Sequence, residues 1–133
     1  MVTVLFACTH NAGRSQMAAA LFNLAADPAR ARAVSAGTRP AARVHPAVVA
    51  AMHDLGVDLA GATPQRLASE LAARPDWLVT MGCGEECPVV PGVRREDWPI
   101  VDPKDRSADE VRAIRDEIGR RVSALIDREG WGT

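Results

Sequence analysis

The sequence is poor in three features: it has no tyrosine, a single lysine, and no apolar run of roughly 18 residues. A membrane-spanning helix needs such a run, and the N-terminus enters an apolar segment without a basic stretch and cleavage site. We therefore expect a cytoplasmic protein with no membrane contact. The other basic residues are arginines dispersed among the acidic ones, and the net charge is −1. This pattern does not indicate a surface for nucleic acid.

Cysteine is also scarce, with three in 133 residues. An odd number in a reducing compartment argues against permanent disulfides, so we expect thiols that are free, redox-active or metal-binding. The chain is 47% hydrophobic, which is enough for one well-buried core, and it is too short for two ordinary domains. Residues 1–133 are therefore predicted to form one domain.

Apolar strands alternate with helices along the chain. Strands are predicted at 2–7, 32–36, 77–81 and 98–101, and helices after Arg14-Ser15, His45-Pro46, Thr63-Pro64 and Ser107. The periodicity places Leu24 and Leu55 on apolar helix faces, while Trp131 in the tail is expected to be exposed. This alternation predicts an α/β fold, a three-layer sandwich with a four-stranded parallel sheet between helices.

One loop carries the strongest chemical signal. Five residues separate Cys8 from Arg14, directly after the first predicted strand and before the first predicted helix. Such a loop can turn several backbone N–H groups toward one tetrahedral anion, while the helix N-terminus and the arginine add positive charge. The same surroundings favour a thiolate. Because a structural cysteine does not need this combination, Cys8 is predicted to be a nucleophile beneath a bound oxyanion.

The loop and the residues after it, up to Ala18, resemble the low-molecular-weight phosphatase superfamily, and more closely its arsenate reductase branch. Further segments resemble motifs of that branch in the same order, so the resemblance extends over nearly the whole chain. These segments are Ser35-Ala36-Gly37-Thr38, Val79-Thr80-Met81, and Asp97-Trp98 followed by Asp102-Pro103.

The resemblance implies a role for each residue of the loop. Cys8 is the nucleophile, Ser15 donates a hydrogen bond to its thiolate, and Asn11 braces the loop. Asp102 is implied as the general acid that protonates the leaving oxygen. The oxyanion is held by Arg14 and the surrounding loop residues Thr9, His10, Asn11, Ala12, Gly13 and Ser15.

The other two cysteines, Cys83 and Cys87, follow the third predicted strand. Hydrolysis needs one thiolate, whereas reducing arsenate to arsenite takes two electrons, which a dithiol can supply. By resemblance, Cys8 attacks arsenate, Cys83 attacks the Cys8 sulfur, and Cys87 resolves that disulfide. Thioredoxin then reduces the Cys83–Cys87 disulfide, with no bound cofactor or metal, and phosphate or sulfate competes with arsenate.

The chain departs from the thioredoxin-coupled pattern at two points. Only three residues separate Cys83 from Cys87, a shorter interval than in better-known members, so the order of the two thiols stays open. Members with a potassium site have acidic side chains where this chain has Ala19 and Gln65, so potassium is not predicted.

Four alternatives remain at this stage. A low-molecular-weight tyrosine phosphatase would use the same loop, but such enzymes usually wall their cleft with aromatic rings, and Gln16 replaces their typical proline. An arsenate reductase could instead draw electrons from mycothiol, bacillithiol or glutathione with glutaredoxin. A zinc site at Cys83, Cys87 and a histidine fits the spacing poorly. A non-enzymatic oxyanion binder would leave Cys8 unactivated.

Overall fold

A computed structural model describes residues 1–68, 75–82 and 90–133. Its four strands are all parallel and lie in the order β2-β1-β3-β4. The strands are β1 (Val2–Cys8), β2 (Ala31–Gly37), β3 (Trp77–Thr80) and β4 (Arg94–Asp97), and the helices are α1 (Arg14–Ala25), α2 (Pro46–His53) and α3 (Ala108–Glu129). The predicted α/β fold with a four-stranded parallel sheet is confirmed. No helix in the described ranges has the length and apolar character needed to cross a membrane.

Both faces of the sheet are buried, as a three-layer arrangement requires. Along β1, Val4 and Phe6 face the core that contains α1, α2 and α3, whereas Leu5 and Ala7 face a second apolar cluster. All four side chains are fully buried, with 0% exposure. This explains why β1 is a continuous apolar run rather than an alternating one.

All aromatic residues of the chain lie in the core. Phe6 contacts Phe22 and Trp98, and Trp131 connects Phe22 to Trp77, with ring centroids 5.6–5.9 Å apart. The expectation that Trp131 is exposed was wrong, because its ring fills the space between these neighbours and is only 7% exposed. The tail that follows α3 is thus part of the core.

The fourth strand lies four residues earlier than predicted. β4 consists of Arg94–Asp97, an edge strand of charged residues, and the predicted strand at 98–101 instead follows it without ladder pairing. Trp98 and Ile100 are buried at 4% exposure each, so their apolar character reflects core packing, while Pro99 cannot donate to a ladder. Charged residues on an edge strand are a common protection against pairing with another chain.

Other helix predictions need correction. Residues 63–68 are not helical but pair beside β2 through a bridge between Arg66 and Gly37, and the remainder of that predicted helix lies outside the described residues. Leu24 is 66% exposed on α1, and Leu55 is 45% exposed because α2 ends at His53. Periodicity alone did not show where the neighbouring elements leave these side chains uncovered.

Sheet register brings the carboxyl ends of the strands to one edge. Cys8 pairs with Gly37 on β2, and Ala7 pairs with Thr80 on β3, which in turn pairs with Asp97 at the end of β4. In open parallel sheets, ligands bind beyond this edge. The chain segments that follow the strands therefore meet around Cys8.

Candidate active site

The loop between β1 and α1 is held by its carbonyl groups. The oxygens of residues 8, 9, 10 and 12 accept hydrogen bonds from the backbone N–H groups of Thr38, Arg39, Ala41 and His45, at 2.8–3.1 Å. In a trans peptide the C=O and N–H groups point in opposite directions. The N–H groups of residues 9, 10, 11 and 13 are therefore turned away from these partners and toward the inside of the loop. This inside is a concavity at the start of α1 that is lined by N–H groups, a geometry that suits an anion.

Cys8 lies at the floor of this concavity and is 2% exposed. Its Sγ atom receives the Asn11 backbone N–H at 3.2 Å and lies 2.8 Å from Ser15 Oγ. α1 begins at Arg14, so the positive end of the helix dipole lies at the end of the loop. The Cys8 sulfur is thus surrounded by hydrogen-bonding groups of the loop and of the first turn of α1.

Two backbone features give the loop its tight curvature. Asn11 has a left-handed conformation with φ of 51°, which asparagine tolerates better than most residues. Gly37 lies so close that a Cβ atom there would be 2.6 Å from Thr9 O and 2.8 Å from Asn11 N. A side chain at position 37 would therefore displace the loop, which explains the glycine at the end of β2.

Arg14 is 8% exposed and lies along the opposite wall. Its Nη1 atom donates to the Ile100 carbonyl oxygen at 3.0 Å, and its Nη2 atom lies 3.7 Å from Asp102 Oδ2. Gly82, with φ of +96°, is packed directly against the guanidinium group, because a Cβ atom there would be 2.2 Å from Nη1. The arginine is thus fixed by the segments that follow β3 and β4.

Asp102 is positioned by its own turn. Its Oδ1 atom accepts the Lys104 backbone N–H at 3.0 Å, and its carbonyl oxygen accepts from Arg106 Nε at 2.8 Å. The next residue, Pro103, packs against Gly13 so closely that a Cβ at Gly13 would be 2.6 Å from Pro103 Cγ. With 41% of its side chain exposed, Asp102 contacts solvent while its Oδ2 atom lies 3.7 Å from Arg14 Nη2.

His45 also borders the loop, near Asp102 and His10. Burial lowers the pKa of His45 below its usual value, the nearby Asp102 carboxylate opposes that shift, and His10 reinforces it. The imidazole therefore favours the neutral form at neutral pH. His45 precedes α2 as its N-cap residue without a capping side-chain hydrogen bond, since its ring lies toward Gly13 instead.

Comparison with known proteins assigns the chain to a family. The profile of the low molecular weight phosphotyrosine protein phosphatases matches residues 3–129. The chain belongs to this family. The predicted resemblance to the family is therefore confirmed.

Several proteins similar to this chain are named as arsenate reductases. A putative arsenate reductase of Halobacterium salinarum is 36% identical over 92% of this chain and 89% of its own length. A glutaredoxin arsenate reductase of Synechocystis is 33% identical over 95% of this chain and 97% of its own. The structure of a thioredoxin-dependent arsenate reductase of Corynebacterium glutamicum superposes with a TM-score of 0.82 and 36% identity over 96% of this chain. This chain spans only 61% of the Corynebacterium protein's length.

Most of the predicted site residues of this phosphatase-family chain come together. The loop residues Thr9, His10, Ala12 and Gly13 surround the Cys8 floor with Asn11 and Ser15, and Arg14 and Asp102 form one wall. Cys83 and Cys87 lie outside the described residues, so their predicted roles stay predictions. Sequence reasoning did not identify the contributions of Gly82, Ile100 or the Gln65 backbone, which reach the site through tertiary contacts.

Proposed function

We propose that this chain is an arsenate reductase that converts arsenate to arsenite for arsenic detoxification, with electrons from thioredoxin in a reducing compartment. One observation supports reduction rather than hydrolysis alone. Gly82, two residues after the end of β3, packs against the guanidinium of Arg14, and the segment that carries Cys83 and Cys87 begins at the next residue. The two further thiols therefore follow, in the sequence, a residue that contacts the guanidinium of Arg14.

The first chemical step uses the groups of the loop. Arsenate binds to the loop N–H groups and Arg14, and the Cys8 thiolate attacks arsenic to form a sulfur–arsenic bond. One arsenic–oxygen bond breaks, and Asp102 donates a proton so that this oxygen leaves as water. The exposed side of Asp102 allows it to regain the proton from solvent. Arsenic remains As(V) at this point.

Reduction occurs in the second step. The Cys83 thiolate attacks Cys8 Sγ, the sulfur–arsenic bond breaks, and its electron pair stays on arsenic, which leaves as arsenite. Cys8 and Cys83 are oxidised to a disulfide, so two electrons are balanced. Cys87 then attacks the Cys83 sulfur and releases the Cys8 thiolate, and the dithiol of thioredoxin reduces the Cys83–Cys87 disulfide by exchange.

The distribution of aromatic residues argues against phosphotyrosine as the physiological substrate. The two phenylalanines and three tryptophans of the chain all lie in the core, at 9% exposure or less, and there is no tyrosine. No phenyl or indole ring therefore remains to wall a cleft for an aryl group. A small oxyanion needs only the N–H groups and the guanidinium that the loop supplies.

The test follows NADPH oxidation with arsenate, thioredoxin and thioredoxin reductase, and measures arsenite directly. The wild type should turn over, and Cys8→Ser, Cys83→Ser and Cys87→Ser should not. A single-turnover experiment separates the thiols: Cys87→Ser should still release one arsenite per chain, because Cys8 and Cys83 suffice for reduction, whereas Cys83→Ser should release none. The opposite result would reverse the order of the two thiols.

Hydrolysis of a small aryl phosphate provides the matched control. Cys83→Ser and Cys87→Ser should retain any such activity at the wild-type rate, since hydrolysis uses Cys8, Arg14 and Asp102 alone, whereas Cys8→Ser should lose it. Replacing thioredoxin by glutathione with glutaredoxin, or by mycothiol, identifies the electron donor. A wild type that hydrolyses the aryl phosphate but releases no arsenite with any donor would refute the proposal.

A further inference from the structure

The Asp102 carboxyl belongs to a turn of residues 102–106, which we call the acid turn. Pro103 is buried and packs on Gly13, in the loop between β1 and α1. On the same side of the turn, Asp102 Oδ2 lies 3.7 Å from Arg14 Nη2. The other side of the turn faces solvent. Pro103 restrains only the inner side, so the position of the turn depends also on contacts at its outer side.

Arg106 closes the outer side of the acid turn. Its Nε atom donates to the Asp102 carbonyl oxygen at 2.8 Å, and its Nη1 atom donates to Glu110 Oε2 at 3.3 Å. Asp105, directly before it, has a left-handed conformation with φ of 58°, so the chain turns sharply there. A guanidinium group is planar and its N–H groups have fixed directions. The two contacts therefore fix the Asp102 carbonyl group relative to Glu110.

Glu110 is in turn fixed to the first turn of α3. Its Oε1 atom accepts the Ser107 backbone N–H at 3.1 Å, and its own N–H donates to Ser107 Oγ at 3.1 Å. The next residue, Val111, is fully buried, so this turn of the helix is attached to the core. Hydrogen bonds from Ser107 and Arg106 lower the pKa of Glu110, which keeps its carboxylate charged at neutral pH. The start of α3 thus gives Arg106 a fixed, negatively charged partner.

We propose that Arg106 and Glu110 are positioning residues that hold the acid turn from α3, so that the Asp102 carboxyl stays beside the loop between β1 and α1. The inference rests on the proposed function, in which Asp102 is the general acid. Such an acid must lie within about 3 Å of the oxygen that it protonates. A displacement of about 1 Å typically costs about 100-fold in rate. Arg106 and Glu110 therefore act on the chemical step through Asp102.

The exposure of the pair allows positioning to be tested apart from folding. The Arg106 side chain is 42% exposed and that of Glu110 is 54% exposed. Exposed ion pairs contribute little to folding stability. Variants at these two positions should therefore remain folded, with only a small change in Tm. A loss of activity in them then reports on the position of the acid turn.

The experiment measures the single-turnover rate of arsenite release from the reduced chain at saturating arsenate, and the inhibition constant of phosphate as a measure of binding. Asp102→Asn should lower the rate by about 10²–10⁴-fold, the contribution of a general acid. Arg106→Met should lower it by about 10-fold, part of the cost of a 1 Å displacement, with the phosphate constant unchanged. Arg106→Lys keeps the charge but not the planar group, and should lose as much as Arg106→Met. A wild-type rate in Arg106→Lys would show that charge alone suffices and would overturn the proposal.

Two neighbouring variants separate positioning from helix capping. Glu110→Gln keeps a side chain that suits the capping box but removes the charge that binds Arg106. It should lower the rate by about threefold, less than Arg106→Met, because the contact to the Asp102 carbonyl can persist. Ser107→Ala does the reverse: it removes the cap hydroxyl and leaves the ion pair, so Tm should fall while the rate stays that of the wild type. Rates that follow Tm across these two variants would overturn the proposal.

The double variant Asp102→Asn/Arg106→Met decides whether Arg106 acts through Asp102. Without the acid its position no longer matters, so Arg106→Met should cause no further loss in this background. A further 10-fold loss there, or a wild-type rate in Arg106→Met alone, would overturn the proposal and leave the general-acid step intact. A wild-type rate in Asp102→Asn would overturn both. If the chain hydrolyses aryl phosphate but releases no arsenite, the same variants measured in hydrolysis still test the acid turn, because that reaction uses the same acid.

Discussion

Gly82 should be the residue outside the loop whose replacement by alanine most impairs oxyanion binding. It has φ of +96°, and an added Cβ atom would lie 2.2 Å from Arg14 Nη1 and 3.0 Å from Cζ. Ordinary van der Waals contact begins near 3.4 Å, so the guanidinium group must retreat by roughly 1.2 Å. The other side of Arg14 is fixed by its 3.0 Å hydrogen bond to Ile100 O, so this movement breaks existing contacts.

The magnitude of the effect follows from that displacement. A reacting or binding group misplaced by about 1 Å typically costs about 100-fold in rate, or about 2.7 kcal/mol of transition-state stabilisation. Alanine at positive φ also costs about 1 to 2 kcal/mol of folding stability, independent of the arginine. Gly82→Ala is therefore expected to lose about 100-fold in kcat/KM for arsenate, with weaker competitive inhibition by phosphate and a moderate fall in Tm.

Gly92→Ala separates the displacement of Arg14 from the backbone cost of alanine at positive φ. Gly92 has φ of +86°, close to that of Gly82, but no atom lies within 4 Å of its added Cβ. It should therefore show a similar fall in Tm and a wild-type kcat/KM. Steady-state kinetics and thermal unfolding of both variants test the reasoning. A folded Gly82→Ala enzyme with wild-type kcat/KM, or an equal loss of activity in Gly92→Ala, would refute it.

Three further predictions concern stability and pH. Ser107→Ala removes the capping box with Glu110 at the start of α3, which should cost about 1 kcal/mol and lower Tm by about 3–5 °C in calorimetry, with activity unchanged. A hydrogen bond from Thr80 lowers the pKa of Asp97, so this bond stabilises the fold above pH 3.8 and the contribution is lost as the pH falls through the folded-state value. In urea unfolding, Thr80→Val should accordingly have a lower free energy of unfolding than the wild type at neutral pH. This difference should shrink in acid. Burial lowers the pKa of His45, so protonation below pH 6.5 favours the unfolded chain and stability should rise with pH in that window. His45→Asn should flatten this pH dependence, and a slope equal to that of the wild type would contradict it.

Local signals were enough to predict most of the fold. β1 is an apolar run and α3 begins with a capping box and has a clear period, so each can be recognised from its own residues. β4 could not be recognised, because its four residues are all charged and its strand character depends on pairing with β3. Its side chains find partners far along the chain: Arg94 lies over the Trp77 ring, and Glu96 pairs with Arg128.

In the candidate site, too, some features can be predicted from local residues and others depend on tertiary contacts. The spacing of Cys8 and Arg14 predicts an anion loop from local chemistry alone, and the structure brings those residues together. The partner that holds Arg14 is the carbonyl oxygen of Ile100, 86 positions along the chain, and any residue type could supply it. No sequence feature distinguishes Gly82 from Gly92. Only the packing of Arg14 against Gly82 distinguishes the two glycines.

The architecture of the site also indicates where discrimination between oxyanions takes place. In the proposed function the loop N–H groups and Arg14 recognise charge and tetrahedral shape, which phosphate and arsenate share. The aromatic side chains that could contact a larger substituent lie in the core. Binding therefore cannot select arsenate strongly over phosphate. In the proposed mechanism selection occurs after attack by Cys8, because arsenic can keep the electron pair of the sulfur bond when a second thiol attacks, whereas phosphorus does not become reduced under these conditions. Phosphate should accordingly compete with arsenate for the loop without consuming thioredoxin.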